Sequence, residues 1–136
     1  MTKIDFYQVS GDEQGFACRL IETVYRRGHQ IYVHTSTEEQ AESLNEQLWT
    51  FKEESFLPHS LYSEEINAPI KIGFDREPEE HQDVLLNLSL EVPHFFSRFD
   101  RVAEVVPLDQ SQRAAARDHY TYYKERGYFL KYHHVK

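Results

Sequence analysis

Four side chains near the carboxyl end share one chemistry. Arg113, Arg117, Tyr120 and Lys124 follow one another at steps of four, three and four residues. On a helix they fall within a stripe about 60 degrees wide. Two guanidiniums and an ammonium then flank a phenol on a single face. Arginine grips a carboxylate through two parallel hydrogen bonds, lysine supplies a mobile point charge, and tyrosine adds apolar area with a hydroxyl at its tip. Such a face suits a peptide carrying carboxylates and an aromatic side chain. An exposed ion pair contributes about 0–1 kcal/mol, whereas burying one aromatic side chain contributes roughly 1.5–3 kcal/mol. A pocket for the ring would therefore dominate affinity, and charge would govern approach and orientation. From the residues alone, a solvated amphipathic helix with incidental charge stands beside this docking reading.

Other reactive types lack the company that catalysis needs. Cys18 sits among apolar neighbours in a helical stretch, which reads as a buried, inert thiol. The eight histidines are scattered, and only His133 and His134 adjoin, which is poor spacing for a shared metal. The acidic pairs Glu38–Glu39 and Glu64–Glu65 read as solvated faces. Gly11 and Gly15 fall short of Gly-x-Gly-x-x-Gly, and no glycine-lysine-serine/threonine ending marks a phosphate-binding loop. No cofactor or metal is expected.

The elements that position these residues follow from periodicity. Lys3–Val9 alternates as a strand with apolar residues on both faces, as in a covered sheet. Phe16, Ala17, Leu20, Ile21 and Val24 recur at helical spacing, with Gly28 as the stop. A second strand spans His29–His34, and a helix capped by Ser36 or Thr37 carries Ala41, Leu44 and Leu48. Glu54–His59 suggests a short edge element stopped by proline, Ile70–Phe74 a strand, and 75–83 an acidic loop. Val84–Leu90 reads as a central strand, Pro93–Phe99 as a helical turn burying three phenylalanines, and Arg101–Leu108 as a further strand. Asp109 with Gln112 announces a final helix ending near Gly127, and Tyr128–Lys136 adds an extended segment. This order predicts one domain over 1–136: a three-layer α/β fold, Rossmann-like without a dinucleotide fingerprint, around a mostly parallel or mixed sheet.

Charge narrows the function classes. The chain of 136 residues carries a net charge of -8, which opposes broad affinity for nucleic acid. The distribution is uneven: residues 110–136 hold six Lys or Arg against two acids, while 1–109 hold nine against 21. A positive end on a negative body fits a small acidic partner better than a duplex. One cysteine, no apolar run of membrane-spanning length and no signal-peptide pattern lead to the expectation of a soluble, cytoplasmic protein.

Over nearly its whole length the sequence resembles the chi subunit family of the bacterial DNA polymerase III holoenzyme. The resemblance rests on Ile4-Asp5-Phe6-Tyr7, Leu44-Asn45-Glu46-Gln47-Leu48-Trp49, Ser55-Phe56-Leu57-Pro58-His59 and Val105-Val106-Pro107. It extends through Arg113-x3-Arg117-x2-Tyr120-x3-Lys124-x2-Gly127-Tyr128. It implies a non-catalytic adaptor that pairs with the small psi subunit, and through psi with the clamp loader. It also implies binding to the acidic, phenylalanine-ending tail of single-stranded DNA-binding protein, so that contact with nucleic acid is indirect. The family's tail-binding positions match Trp49, Phe56, Arg113, Arg117, Tyr120 and Lys124. On that basis Trp49 and Phe56 would be hydrophobic walls, the arginines would orient carboxylates, Tyr120 would border the ring and Lys124 would attract upstream acids. Thr121 stands where some relatives carry a basic residue, which implies a weaker hold on those acids. Two readings from other classes stay open: a divergent nucleotide-using α/β enzyme and a direct binder of single-stranded nucleic acid.

Overall fold

The computed structural model describes residues 1–50, 59–61, 68–74, 76–78 and 81–135. Seven strands form one sheet: β1 (Lys3–Val9), β2 (Ile31–Thr35), β3 (His59–Leu61), β4 (Ile70–Phe74), β5 (Val84–Asn87), β6 (Arg101–Val106) and β7 (Phe129–Val135). Their order is β3-β4-β2-β5-β6-β1-β7, and all six pairings are parallel. The mostly parallel or mixed sheet expected from the sequence is thus wholly parallel among the described residues. Three α-helices cover it: α1 (Glu13–Arg26), α2 (Glu38–Thr50) and α3 (Gln110–Glu125).

Strand alternation divides the core into two layers. Ile31 and Val33, Ile70 and Ile72, and Val84 and Leu86 point to one face, where they meet Ala17, Cys18 and Ile21 of α1 and Ala41, Leu44 and Leu48 of α2. Ile4, Phe6, Tyr32, Leu85, Val102 and Val106 point to the other, under α3 and the 3-10 turn Phe96–Arg98. That turn brings Phe95, Phe96 and Phe99 into the second layer, as the cluster of phenylalanines suggests. Cys18 is fully buried, and burial followed by the nearby Asp12 charge pushes its thiol up to about 11.

Helix ends obey the local signals. Thr37 caps α2 by accepting the Gln40 amide at 3.1 Å, and the Gln40 side chain returns to the Ser36 amide at 2.9 Å. Asp109 caps α3 by accepting both the amide and the hydroxyl of Ser111, at 2.8 and 2.6 Å. α1 and α3 stop identically. Gly28 and Gly127 have φ of 87° and 81°, and paired amides close back on Tyr25 and Val24, and on Lys124 and Tyr123.

Several boundaries differ from the sequence reading, β2 among them, which runs Ile31–Thr35 instead of His29–His34. β5 ends at Asn87, four residues into its apolar run, because the Asn87 side chain accepts the Ser89 amide and turns the chain. β6 stops at Val106, before Pro107. The edge strand β3 begins at His59, after the proline expected to end it, and 54–58 lie outside the described residues.

Candidate functional site: a cationic groove between α3 and β7

α3 lies over the β6, β1 and β7 side of the sheet and is held by a polar cluster. Ala116, His119 and Tyr123 form its buried face. Glu104, only 2 % exposed in the middle of β6, accepts from the Tyr123 hydroxyl at 2.6 Å and from the Asn87 amide at 2.9 Å. Its second oxygen meets His119 Nδ1 at 2.9 Å, while His119 Nε2 lies 2.9 Å from the Leu90 carbonyl. Both histidine partners accept, so only the imidazolium satisfies them together. Burial alone would depress the ring. The Glu104 hydrogen bond and charge, the Leu90 carbonyl and the Asp118 charge outweigh it and raise the ring above 6.5. The Tyr123 phenol is raised by burial and by Glu104.

Once docked in this way, α3 turns its cationic stripe beside the sheet edge. Arg113, Arg117, Tyr120 and Thr121 line a groove of about 560 Å³ whose remaining walls are Phe6, Val106, Ala116 and Tyr132. The apolar part is an aromatic triad. Phe6 lies edge-on to Tyr120 at 5.3 Å and stacked with Tyr132 at 6.4 Å, and Tyr120 lies 6.5 Å from Tyr132. The Tyr132 hydroxyl donates to Gln8 at 2.8 Å, which fixes the outer ring. Arg113 Nε donates to the Pro107 carbonyl at 2.8 Å and so holds its guanidinium at the rim. Arg117 is exposed and has no ion-pair partner among the described residues. The arrangement can hold an aromatic side chain against the triad and a carboxylate between two guanidiniums.

Of the six positions singled out in the sequence, the structure brings Arg113, Arg117 and Tyr120 together in this groove. Lys124 projects from the same helical face one turn further on and is exposed, but it does not line the groove. Trp49 is 53 % exposed and belongs to α2, whose buried stripe docks on the opposite layer, over β2, β3 and β4. That docking keeps it from walling the groove. Phe56 lies outside the described residues. Phe6 and Tyr132 were missed as site residues. Their signal was the strand alternation that sets both on the α3 face, in register across β1 and β7. Glu104 and His119 were also missed; their signals were the one acid within the apolar strand Arg101–Val106 and a histidine between Ala116 and Tyr123 on the buried face.

The crevice at the carboxyl ends of the strands, where open α/β sheets commonly take ligands, has a different character. It encloses about 340 Å³, and among the described residues its walls include Ser36, Gln40, Asn87, Glu104 and His119 but no Lys or Arg. Gln40 and Asn87 bond to the surrounding chain at Leu88 and Glu91. At its mouth the Glu13 carboxyl is raised by burial, then by Asp109 and Asp12. His133 and His134 lie on opposite faces of β7, the first against Asp5 at 3.0 Å and the second beside Tyr132. No helix among the described residues is long and apolar enough to cross a membrane.

Fold and groove together define a three-layer, Rossmann-like α/β domain whose most distinctive surface is cationic, aromatic-floored and lateral to the strand ends. The family model for the DNA polymerase III chi subunit, HolC, matches residues 1–131. The chain is 43% identical to a DNA polymerase III subunit chi of Pseudomonas aeruginosa, covering 99% of this chain and 98% of that one. The corresponding subunit of Haemophilus influenzae is 30% identical over 88% of this chain and 85% of its own. That of Escherichia coli K12 is 30% identical over 83% and 79%. The chain belongs to the DNA polymerase III chi subunit family, and its place is in the replication complex as an accessory subunit.

Proposed function

We propose that the chain is a non-catalytic, cytoplasmic bridge. It carries a psi-like clamp-loader subunit to the acidic tail of single-stranded DNA-binding protein during lagging-strand replication. The observation that supports this reading is the groove itself: Arg113, Arg117 and Tyr120 beside the Phe6–Tyr132 stack. A terminal phenylalanine ring fits the apolar triad and its carboxylate the guanidiniums. The tail's acids would then follow the cationic stripe towards Lys124. Membership of the family supports the replication context. The negative body of the molecule favours contact with DNA through partners over direct contact.

A capture experiment tests the bridge and the site together. Immobilised single-stranded DNA-binding protein is expected to retain psi only when this chain is added. Deleting the terminal phenylalanine of the immobilised protein, or introducing Arg117→Ala, is expected to lower retention about tenfold, the scale of one lost charge-assisted contact. Arg117 is exposed, so its loss leaves the fold intact. Equal psi retention with and without this chain, or with the truncated tail, would refute the proposal.

A further inference from the structure

The outer margin of the groove is a sheet edge. All seven residues of β7 pair in register with β1, from Lys3 with Phe129 to Val9 with Val135. Among the described residues nothing pairs with the other side of β7. Alternate peptide groups along it therefore point outward, the arrangement that templates another strand.

The side chains define what the edge would accept. Tyr132, a wall of the groove, belongs to β7. A strand added to β7 would run about 4.8 Å from that wall, one strand spacing away. On the opposite face of the edge Phe129 is 65 % exposed, with Lys131 on its side of the strand. Charge selects the occupant. Residues 110–136 carry a surplus of four positive charges. A second copy of β7 paired antiparallel about Tyr132 would set Lys131 against His133 and bring two positive ends together. An acidic strand meets the opposite field.

We infer that β7 is a template for β-augmentation, which takes the acidic stretch of a partner's tail as an additional strand before the tail's end turns into the α3 groove. This rests on the reading of the groove given above. Main-chain pairing supplies contacts that tolerate sequence variation in the acidic stretch, while the groove fixes the terminal residue. Augmentation also gives the tail's acids a place along Lys131, on the opposite face of the edge from the arginines.

The test uses the full chain and a synthetic acidic peptide of about ten residues ending in phenylalanine, long enough to span β7. Comparison peptides are a version cut to its last few residues, a C-terminally amidated version, and two versions with N-methyl groups at alternate upstream amides. Calorimetry gives affinity, and NMR-detected hydrogen exchange gives protection along β7. The long peptide is expected to slow exchange of the outward β7 amides about tenfold, and the short one to leave them unchanged. One N-methyl pattern is expected to weaken binding about tenfold and the other far less, because a strand donates to its neighbour only at alternate residues. If amidation weakens binding but β7 exchange is unaltered and both N-methylated peptides match the parent, augmentation is wrong and the groove reading survives. If no peptide binds, both fail.

Discussion

At the scale of single residues, the groove depends on a cluster that does not line it. Glu104 and His119 set the depth and rotation of α3, which in turn aim Arg113, Arg117 and Tyr120. The sequence made the cationic stripe legible because its spacing is local to one helix. The Phe6 and Tyr132 floor was not legible as a site, because it depends on the long-range registry of β1 with β7. Trp49 shows the same limit from the other side: its resemblance to a family position carries no information about which layer α2 occupies in this chain. The cluster also makes stability depend on pH. The folded His119 ring is raised above 6.5, so its contribution is fully present below that pH and is lost as pH rises through the folded value. His119→Ala removes one partner of a buried pair and is expected to cost about 3 kcal/mol. Urea midpoints measured from pH 6 to pH 9 are expected to fall more steeply in the native chain than in the variant. Parallel pH profiles would show that the ring does not titrate in this way.

At the scale of elements, the stops matter as much as the starts. α3 delivers the chain to β7 through Gly127, whose φ of 81° permits the reversal that returns the Tyr128 amide to the Tyr123 carbonyl. A side chain with a branched Cβ is strained there by about 1–2 kcal/mol. Gly127→Val is therefore expected to lower the urea midpoint clearly. Gly11→Ala, at an ordinary φ with open space around the site, is expected to change it little. Equal effects of the two would mean that the turn after α3 tolerates other geometries. The glycine stops of α1 and α3, the Asp109 cap and the strand positions other than β3 were readable because each is encoded within a few residues. The early end of β5 was not, since an apolar run cannot reveal that Asn87 will bond to Ser89 and Glu104. β7 was foreseen only as an extended segment. Its full pairing with β1 is a tertiary choice that alternation alone does not specify.

At the scale of the whole molecule, the layered α/β plan followed from the order of elements, but the position of the proposed ligand surface did not. The usual crevice at the strand ends is lined by apolar side chains, amides, hydroxyls, carboxylates and the His119 ring, without a Lys or Arg among the described residues. The cations gather to one side, between α3 and the β7 edge. The uneven charge of the sequence pointed to a positive end, and the fold gathers part of it on that margin. A backbone NMR titration with an acidic peptide ending in phenylalanine locates the ligand directly. The expected result is saturable shifts centred on Phe6, Arg113, Arg117, Tyr120 and Tyr132, with the amides of α2 near Trp49 unchanged. Shifts centred on Trp49 and α2, with the groove residues unmoved, would contradict the account.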